Sequence, residues 1–344
     1  MLPHAGRTGS ATRQRRGVRR LALILIVLAA LVVVSVVVGS RMIEPGVVWR
    51  SIVAFDPADD RHLTVHLLRL PRTLLVLVVG AALGVAGTVM QAMTRNPLAE
   101  PGLLGVNAGA AAVVATGIAV TQVVAIEWYL WFSFLGAALA AGLVYALGGA
   151  LSHAANPVRL VLAGAAVSVV LGAYTSTLLL NFPTVFDRFR FWDAGSFQGR
   201  SWDVLGPVSI AIAAGLILAI AVSRSLNALA LGPEFGRALG VSPRRTWMLA
   251  GLAVVLLAGA STAAAGPIAF IGLTAPLIGR SVVGPDYVRL IPVSALIAGG
   301  ILLSADIAGR VVALPSELQA SIVSALIGAP VFIALVRRRR VPAL

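Results

Sequence analysis

Long apolar runs separated by short polar links dominate the chain. Ten runs, the eighth of them short, approach the roughly 20 residues that a helix needs to cross a bilayer. They span residues 21–38, 74–93, 103–120, 128–147, 159–180, 204–222, 247–265, 274–283, 290–307 and 318–336. The runs lack the alternation of barrel strands, and backbone groups in lipid must be satisfied within their own segment. The pattern therefore predicts an all-α, polytopic membrane protein with about ten transmembrane helices.

Composition strengthens this interpretation and excludes several kinds of site. Hydrophobic residues make up 59% of the chain and its mean hydropathy is +0.96, which is too apolar for a soluble domain. The net charge of +14 comes from arginines in loops and tails, with no lysine, so we attribute it to membrane topology and expect no nucleic-acid partner. The absence of cysteine excludes disulfides, thiolate metal sites and cysteine nucleophiles.

Arginines also predict the topology. The first apolar run follows RQRRGVRR, is too long for a signal-peptide core and lacks a small-x-small cleavage site, so we expect an uncleaved first helix. Residues 1–20 are predicted to be a basic cytoplasmic tail, residues 21–337 a transmembrane domain, and residues 338–344 a cytoplasmic C-terminal tail. Arg69 and Arg72 then fall outside against the trend, and either a specific purpose or snorkelling at a helix end explains them equally well.

The spans carry little that could do chemistry. Asp306 lies near an outer helix end with Arg310 four residues later, a spacing more typical of a local ion pair than of a proton relay. No histidine lies within a span, and HExxH and GxSxG are absent, so catalysis within the membrane is disfavoured. Without lysine the chain has no Walker A loop, so a pump would need a partner that hydrolyses ATP. An ATP-independent secondary carrier is the alternative, which the uncharged span interiors disfavour.

Two cytoplasmic links have unusual sequences. LALGPEFGRALGVSPRR, residues 229–245, predicts a short helix carrying Glu234, Phe235 and Leu239, and periodicity leaves a membrane-surface helix and a partner contact equally open. NPLAEPGLLG, residues 96–105, contains prolines that preset φ and polar side chains that can satisfy free backbone groups. For this second link we favour a structural turn over direct substrate contact. Its residues are Asn96, Pro97, Glu100, Pro101 and Gly102.

Taken together, five segments closely resemble the FecCD family, the permease subunits of ABC importers for ferric siderophores, haem and vitamin B12. They are the stretch from RLPR through NPLAEPGLLGVNAGA, the loop LALGPEFGRALGV, GPIAFIGLTAPLIGR, SADIAGR, and ELQASIVSALIGAPVFIAL. The segments occur in the expected order and cover nearly the whole chain after about residue 60. The resemblance implies a type II ABC importer permease fold and transport rather than catalysis.

The resemblance also implies roles for particular residues. The loop would dock on the ATPase subunit through Glu234, Phe235, Arg237, Ala238, Leu239 and Gly240. An extracytoplasmic binding protein would dock on Arg69, Arg72 and Arg310. The translocation path would be lined by Ser168, Thr175, Ser176, Thr177, Ser321 and Ser324, although for any single hydroxyl we favour a bond back to its own helix. The inner gate would include Asn156, Pro157 and Val158.

The resulting hypothesis is a permease of the cytoplasmic membrane that takes up ferric siderophores, with cobalamin or haem as alternative substrates. Its expected partners are cytoplasmic ABC ATPase subunits, an extracytoplasmic substrate-binding protein, a second permease subunit of the same or a homologous chain, and the lipid membrane. We expect no cofactor and no metal site, because the sequence has no cysteine and no clustered histidines.

Overall fold

The computed structural model describes residues 8–39, 42–122, 126–148, 157–314 and 316–337, and within these ranges the chain is helical without strands. The helices are α1 Thr8–Val37, α2 Pro45–Val53, α3 Asp60–Thr64, α4 Leu70–Thr94, α5 Val106–Thr121, α6 Ile126–Leu147, α7 Pro157–Asn181, α8 Pro183–Asp193, α9 Trp202–Ala230, α10 Pro233–Ala238, α11 Pro243–Ala265, α12 Ile271–Val283, α13 Tyr287–Val312 and α14 Ala320–Arg337. A π-helical turn, Val65–Arg69, joins α3 to α4, and a 3₁₀ turn, Pro101–Leu104, precedes α5.

The membrane spans match the ten predicted runs. Seven helical segments among the described residues are long and apolar enough to cross a bilayer: α1, the continuous segment from α3 through α4, α6, α7, α9, α11 and α13. The shorter apolar helices α5, α12 and α14 account for the other three runs. The all-α, multi-pass fold predicted from the sequence is therefore confirmed.

The structure adds helices that hydrophobic runs did not reveal. α1 begins at Thr8, so part of the predicted basic tail is helical, and α2, α3 and α8 lie outside the predicted spans. The second span also extends back to Asp60. Pro71 has no backbone N–H to donate within the helix. The turn before it is π-helical, with a bond from the Leu70 N–H to the Val65 carbonyl. Periodicity across an apolar run does not show such a local change of hydrogen bonding.

Contacts between helix ends agree with the predicted threading. The end of α1, the start of α4 and the end of α13 meet through Arg69, Arg72 and Arg310 at what we call the outer end. At the opposite, inner end, Arg95 after α4 donates to the Leu229 carbonyl of α9, and Arg20 of α1 donates to the Ser281 carbonyl of α12. The arginine distribution predicts that the outer end lies on the extracytoplasmic side.

Close backbone packing places α4 at the centre of the bundle, against α9, α11, α12 and α13. A Cβ atom added at Gly84 would lie 2.6 Å from the Ser294 carbonyl oxygen of α13. One added at Gly87 would lie 1.7 Å from the Gly272 carbonyl oxygen of α12. Neither position has room for a methyl group, so the small residues of GAALGVAG allow three helices to approach closely, as the sequence indicated.

We predict that Gly87→Ala strongly destabilises the protein, because the new methyl group meets the α12 backbone rather than a flexible side chain. Overpacking typically costs about 1–3 kcal/mol, and an immovable neighbour belongs at the upper end of this range. The matched control is Gly172→Ala in α7, where a Cβ atom meets nothing within 4 Å. Thermal unfolding in detergent measures both variants, and equal melting temperatures would contradict this account of the packing.

Candidate functional site

At the outer end, two arginines hold the last turn of α1. Arg69 Nη1 donates to the carbonyls of Val36 and Val37, at 2.7 and 2.6 Å. Arg310 Nη1 donates to the carbonyl of Ser35 at 2.7 Å, and its Nη2 donates to the Ser35 hydroxyl at 3.0 Å. The last carbonyls of a helix lack partners within it and carry partial negative charge, so cations stabilise this end.

A third arginine links α4 to two carboxylates. Arg72 Nε and Nη2 donate to Asp306 Oδ1 at 3.1 and 2.8 Å, and Arg72 Nη1 donates to Glu317 Oε2 at 2.7 Å. Asp306 also accepts from Arg310, four residues later in α13, through its other oxygen. The Asp306 and Arg310 side chains are almost fully buried, whereas Arg72 and Glu317 are each 12% exposed. We call Arg69, Arg72, Arg310, Asp306 and Glu317 the outer ion cluster.

The outer ion cluster differs from the surface that the sequence suggested. The structure brings Arg69, Arg72 and Arg310 together, but each guanidinium already donates to groups of this chain, and Arg69 and Arg310 are buried. The predicted local pair of Asp306 and Arg310 is present. Sequence reasoning missed Glu317, whose only signal was its place in the ELQ motif beside the last span. Docking of a partner on these arginines stays a prediction.

At the inner end, residues 95–105 form the turn that the prolines predicted. Arg95 ends α4 with a left-handed φ of 50°, and the Asn96 side chain accepts from the Leu98 N–H at 2.9 Å. Pro101 begins the 3₁₀ turn, and Gly105 leaves it with a φ of 71°, a conformation that glycine adopts without strain. Pro97 and Gly102 lie within the same turn. The turn reverses the chain between α4 and α5.

This turn is joined to the start of α12. The Glu100 side chain accepts from the backbone N–H of Phe270, a residue whose φ of 68° is unusual for an aromatic side chain. Burial raises the pKa of the Glu100 carboxyl, and the Phe270 N–H acts in the opposite direction. Beside it, Asn107 accepts from the Thr262 hydroxyl of α11 at 2.9 Å. The Asn96 and Glu100 side chains thus accept from backbone N–H groups after α4 and at the start of α12, and the role of this turn in transport stays a prediction.

The loop between α9 and α11 contains the short helix predicted there. α10 begins after Gly232, at Pro233, and Gly236 is buried where a Cβ atom would lie 2.6 Å from the Leu229 side chain. Phe235 and Leu239 are 66% and 63% exposed, while Glu234, Arg237, Ala238 and Gly240 are also exposed. The Arg95 guanidinium donates to the backbone carbonyl of the same Leu229. α10 is thus supported by α9 and presents two large apolar side chains outward.

Most of the proposed path hydroxyls satisfy backbone carbonyls. Thr175, Thr177 and Ser324 donate to carbonyls three or four residues earlier in their own helices. Ser321 donates instead to the Ala194 carbonyl after α8 and so joins α14 to that helix end. Ser168 is half-buried and Ser176 is exposed. Of the gate candidates, Pro157 and Val158 begin α7, and Asn156 lies outside the described residues.

The part of the chain that the structure describes contains no group of three or more histidine, aspartate or glutamate side chains able to hold a metal ion. The acids at the outer end are engaged by arginines instead. What the arrangement offers is a helical bundle with an ion cluster at its outer end and an apolar contact surface at its inner end.

Comparison with known proteins identifies the group to which this bundle belongs. The family model described as the FecCD transport family matches residues 25–338. The chain belongs to the FecCD transport family. The Escherichia coli ferric enterobactin transport system permease protein FepD is 43% identical, over 93% of this chain and 94% of its own length. The Halobacterium salinarum cobalamin import system permease protein BtuC is 34% identical, over 95% of this chain and 92% of its own length.

A structural comparison agrees with the FecCD assignment. A solved structure described as a metal-chelate type ABC transporter in an inward-facing conformation matches with a TM-score of 0.80 and 26% identity. The match covers 93% of this chain and 99% of the solved chain. The ABC importer permease fold expected from the sequence is confirmed, and this FecCD protein is a multi-pass protein of the cytoplasmic membrane.

We predict that Asp306→Asn destabilises the outer end, because two buried or nearly buried arginines lose their shared anion. Removing one partner of a buried ion pair costs about 3–5 kcal/mol. The control is Asp187→Asn in α8, whose pair with Arg190 is 3.4 Å long and mostly exposed, and whose loss we expect to leave stability unchanged. Thermal unfolding in detergent compares the two, and equal effects would show that the outer ion cluster is not a stabilising unit.

Proposed function

We propose that this chain is the permease subunit of an ATP-driven importer that carries ferric siderophores across the cytoplasmic membrane. The observation that carries the proposal is its identity of 43% with the ferric enterobactin permease over more than nine-tenths of both chains. Identity with the cobalamin permease is 34%, so cobalamin uptake is the second candidate. Haem uptake is a third possibility within the family.

Energy for transport is proposed to come from cytoplasmic ATPase subunits. The chain has no lysine for a phosphate-binding loop, so it relies on a partner for ATP hydrolysis. α10 supports a contact with that partner, because Phe235 on this helix and Leu239 directly after it are exposed, while Gly236 packs against α9. Such apolar anchors suit a groove on another protein. An ATP-independent carrier has no corresponding need for this surface.

Two further partners complete the proposed importer. A second permease subunit, the same chain or a homologue, would pack on this one around a central path. α7 supports this, because it buries little of its surface within one chain and exposes Leu162, Val169 and Val170. An extracytoplasmic binding protein would dock at the outer end near Arg69, Arg72 and Arg310. Arg72 is the member of this set that shares the cluster's exposed edge with Glu317.

The substrate is tested by uptake in cells that lack only this chain. We expect loss of labelled ferric siderophore uptake, and restoration when the chain is supplied, with cobalamin and haem uptake unchanged. Loss of cobalamin or haem uptake alone would retain the permease assignment and overturn the assignment of a ferric siderophore as substrate. Uptake that continues after ATP depletion but collapses with the membrane gradient would favour the secondary carrier instead.

The contact with the ATPase is tested by Phe235→Asp combined with Leu239→Asp. Placing carboxylates on the apolar surface of α10 should weaken ATPase binding at least about tenfold while the permease remains folded, because both side chains are exposed. A helix-breaking Leu239→Pro variant should give the same loss of uptake. The control for ATPase binding is Leu314→Asp, an exposed apolar residue near the opposite end of the bundle, which should leave copurification of the ATPase unchanged. Copurification of the ATPase and substrate-dependent uptake are measured, and normal values in the double variant would refute the contact.

A further inference from the structure

The members of the outer ion cluster are not equally available to a partner. Asp306 and Arg310 have side-chain exposures of 1% and 2%, and Arg69 is also buried. Arg69 and Arg310 are committed to the carbonyls at the end of α1. Arg72 and Glu317, at 12% each, form the pair through which the cluster reaches the surface. A carboxylate arriving from outside therefore meets Arg72 and Glu317 first.

The guanidinium of Arg72 donates to two carboxylates, of which Asp306 is fixed and Glu317 is replaceable. Its Nε and Nη2 donate to Asp306 Oδ1, and Asp306 is itself held by Arg310 within α13. These bonds fix the plane of the guanidinium. Its Nη1 donates one of its two N–H groups to Glu317 Oε2 at 2.7 Å, and Glu317 is the partner that shares the 12% exposure of Arg72. Nη1 carries a second N–H, so an external carboxylate can reach the same nitrogen, but the charge of Glu317 repels it until Glu317 moves away.

Glu317 is placed where its side chain can move without moving a helix. It lies in the non-helical link between α13 and α14, three residues before Ala320. The backbone next to it is anchored, since the Leu318 N–H donates to the Gly309 carbonyl at 2.9 Å. Rotation about the Glu317 side-chain bonds therefore releases Arg72 while the link keeps its position. Asp306 lacks this freedom because it is buried within α13.

Charge favours the same exchange. Three arginines face two carboxylates, so the outer ion cluster has a net positive charge while Glu317 is bound and a larger one when it departs. An incoming carboxylate restores the balance. Charge pairs at the rim of an interface mainly set the association rate and its dependence on salt.

We propose that Glu317 is an internal competitor that occupies Arg72 in the free permease and is displaced by a carboxylate of the binding protein when that protein docks. This inference rests on the proposed importer function. It assigns the docking contact to Arg72, and it makes Arg69 and Arg310 supports for α1 rather than contacts.

The experiment measures how tightly the binding protein binds the permease–ATPase complex in lipid nanodiscs. The probe is the siderophore-loaded binding protein that stimulates ATP hydrolysis by that complex. Glu317→Gln keeps the shape of the side chain and removes its charge, so we expect binding about two- to fivefold tighter at low salt, with the gain shrinking as salt rises. The control for charge alone is Asp203→Asn, whose carboxylate accepts from the Ser201 hydroxyl. It should leave affinity unchanged.

A second variant separates this inference from the docking proposal. Arg72→Gln should weaken binding, and Glu317→Gln should then no longer strengthen it in the double variant. If Arg72→Gln weakens binding while Glu317→Gln leaves it unchanged or weaker, docking on Arg72 stands and the competitor is refuted. If neither variant changes affinity, docking at this position is refuted as well. Melting temperatures of all variants identify any loss of affinity that comes from unfolding.

Discussion

Close backbone contact around α4 is the constraint on which the rest of the structure depends. Lipid tails are as apolar as leucine, so helices in a bilayer associate through packing rather than through the hydrophobic effect. Gly84 and Gly87 let α4 touch the backbones of α13 and α12. Both candidate surfaces are attached to this helix: Arg72 lies at its outer end, and Arg95 and the following turn lie at its inner end. A helix held this firmly gives the two surfaces a fixed separation.

The outer ion cluster shows how a membrane protein uses arginine where the topology rule disfavours it. A helix that ends near the membrane leaves carbonyls without partners, and Arg69 and Arg310 supply donors for the end of α1. Asp306 pairs with Arg310 and with Arg72, and Glu317 pairs with Arg72. The positions that looked anomalous in the topology therefore have a structural explanation, which stands whether or not a partner docks there.

At the inner end, one residue connects several predicted features. Leu229 accepts from Arg95 through its carbonyl, and its side chain lies under Gly236 of α10. The same end of α4 leads into the turn whose Glu100 accepts from the Phe270 N–H at the start of α12. Movement of α10 would therefore reach α4 through short polar and packing contacts. This chain of contacts is a route by which the proposed docking of an ATPase on α10 would act on α4.

The sequence by itself determined the fold class, the apolar spans and the position of α10, because bilayer thickness and helix-breaking residues act locally along the chain. It also indicated the turn at Pro97 and Pro101 and the local pair of Asp306 and Arg310. Tertiary structure alone decided which groups occupy the arginines, since the partners of Arg72 lie 234 and 245 residues away. It also decided which hydroxyls donate hydrogen bonds to backbone carbonyls. Hydrogen-bond partners and burial depend on which helices meet, and hydrophobic periodicity in a single chain does not encode that choice.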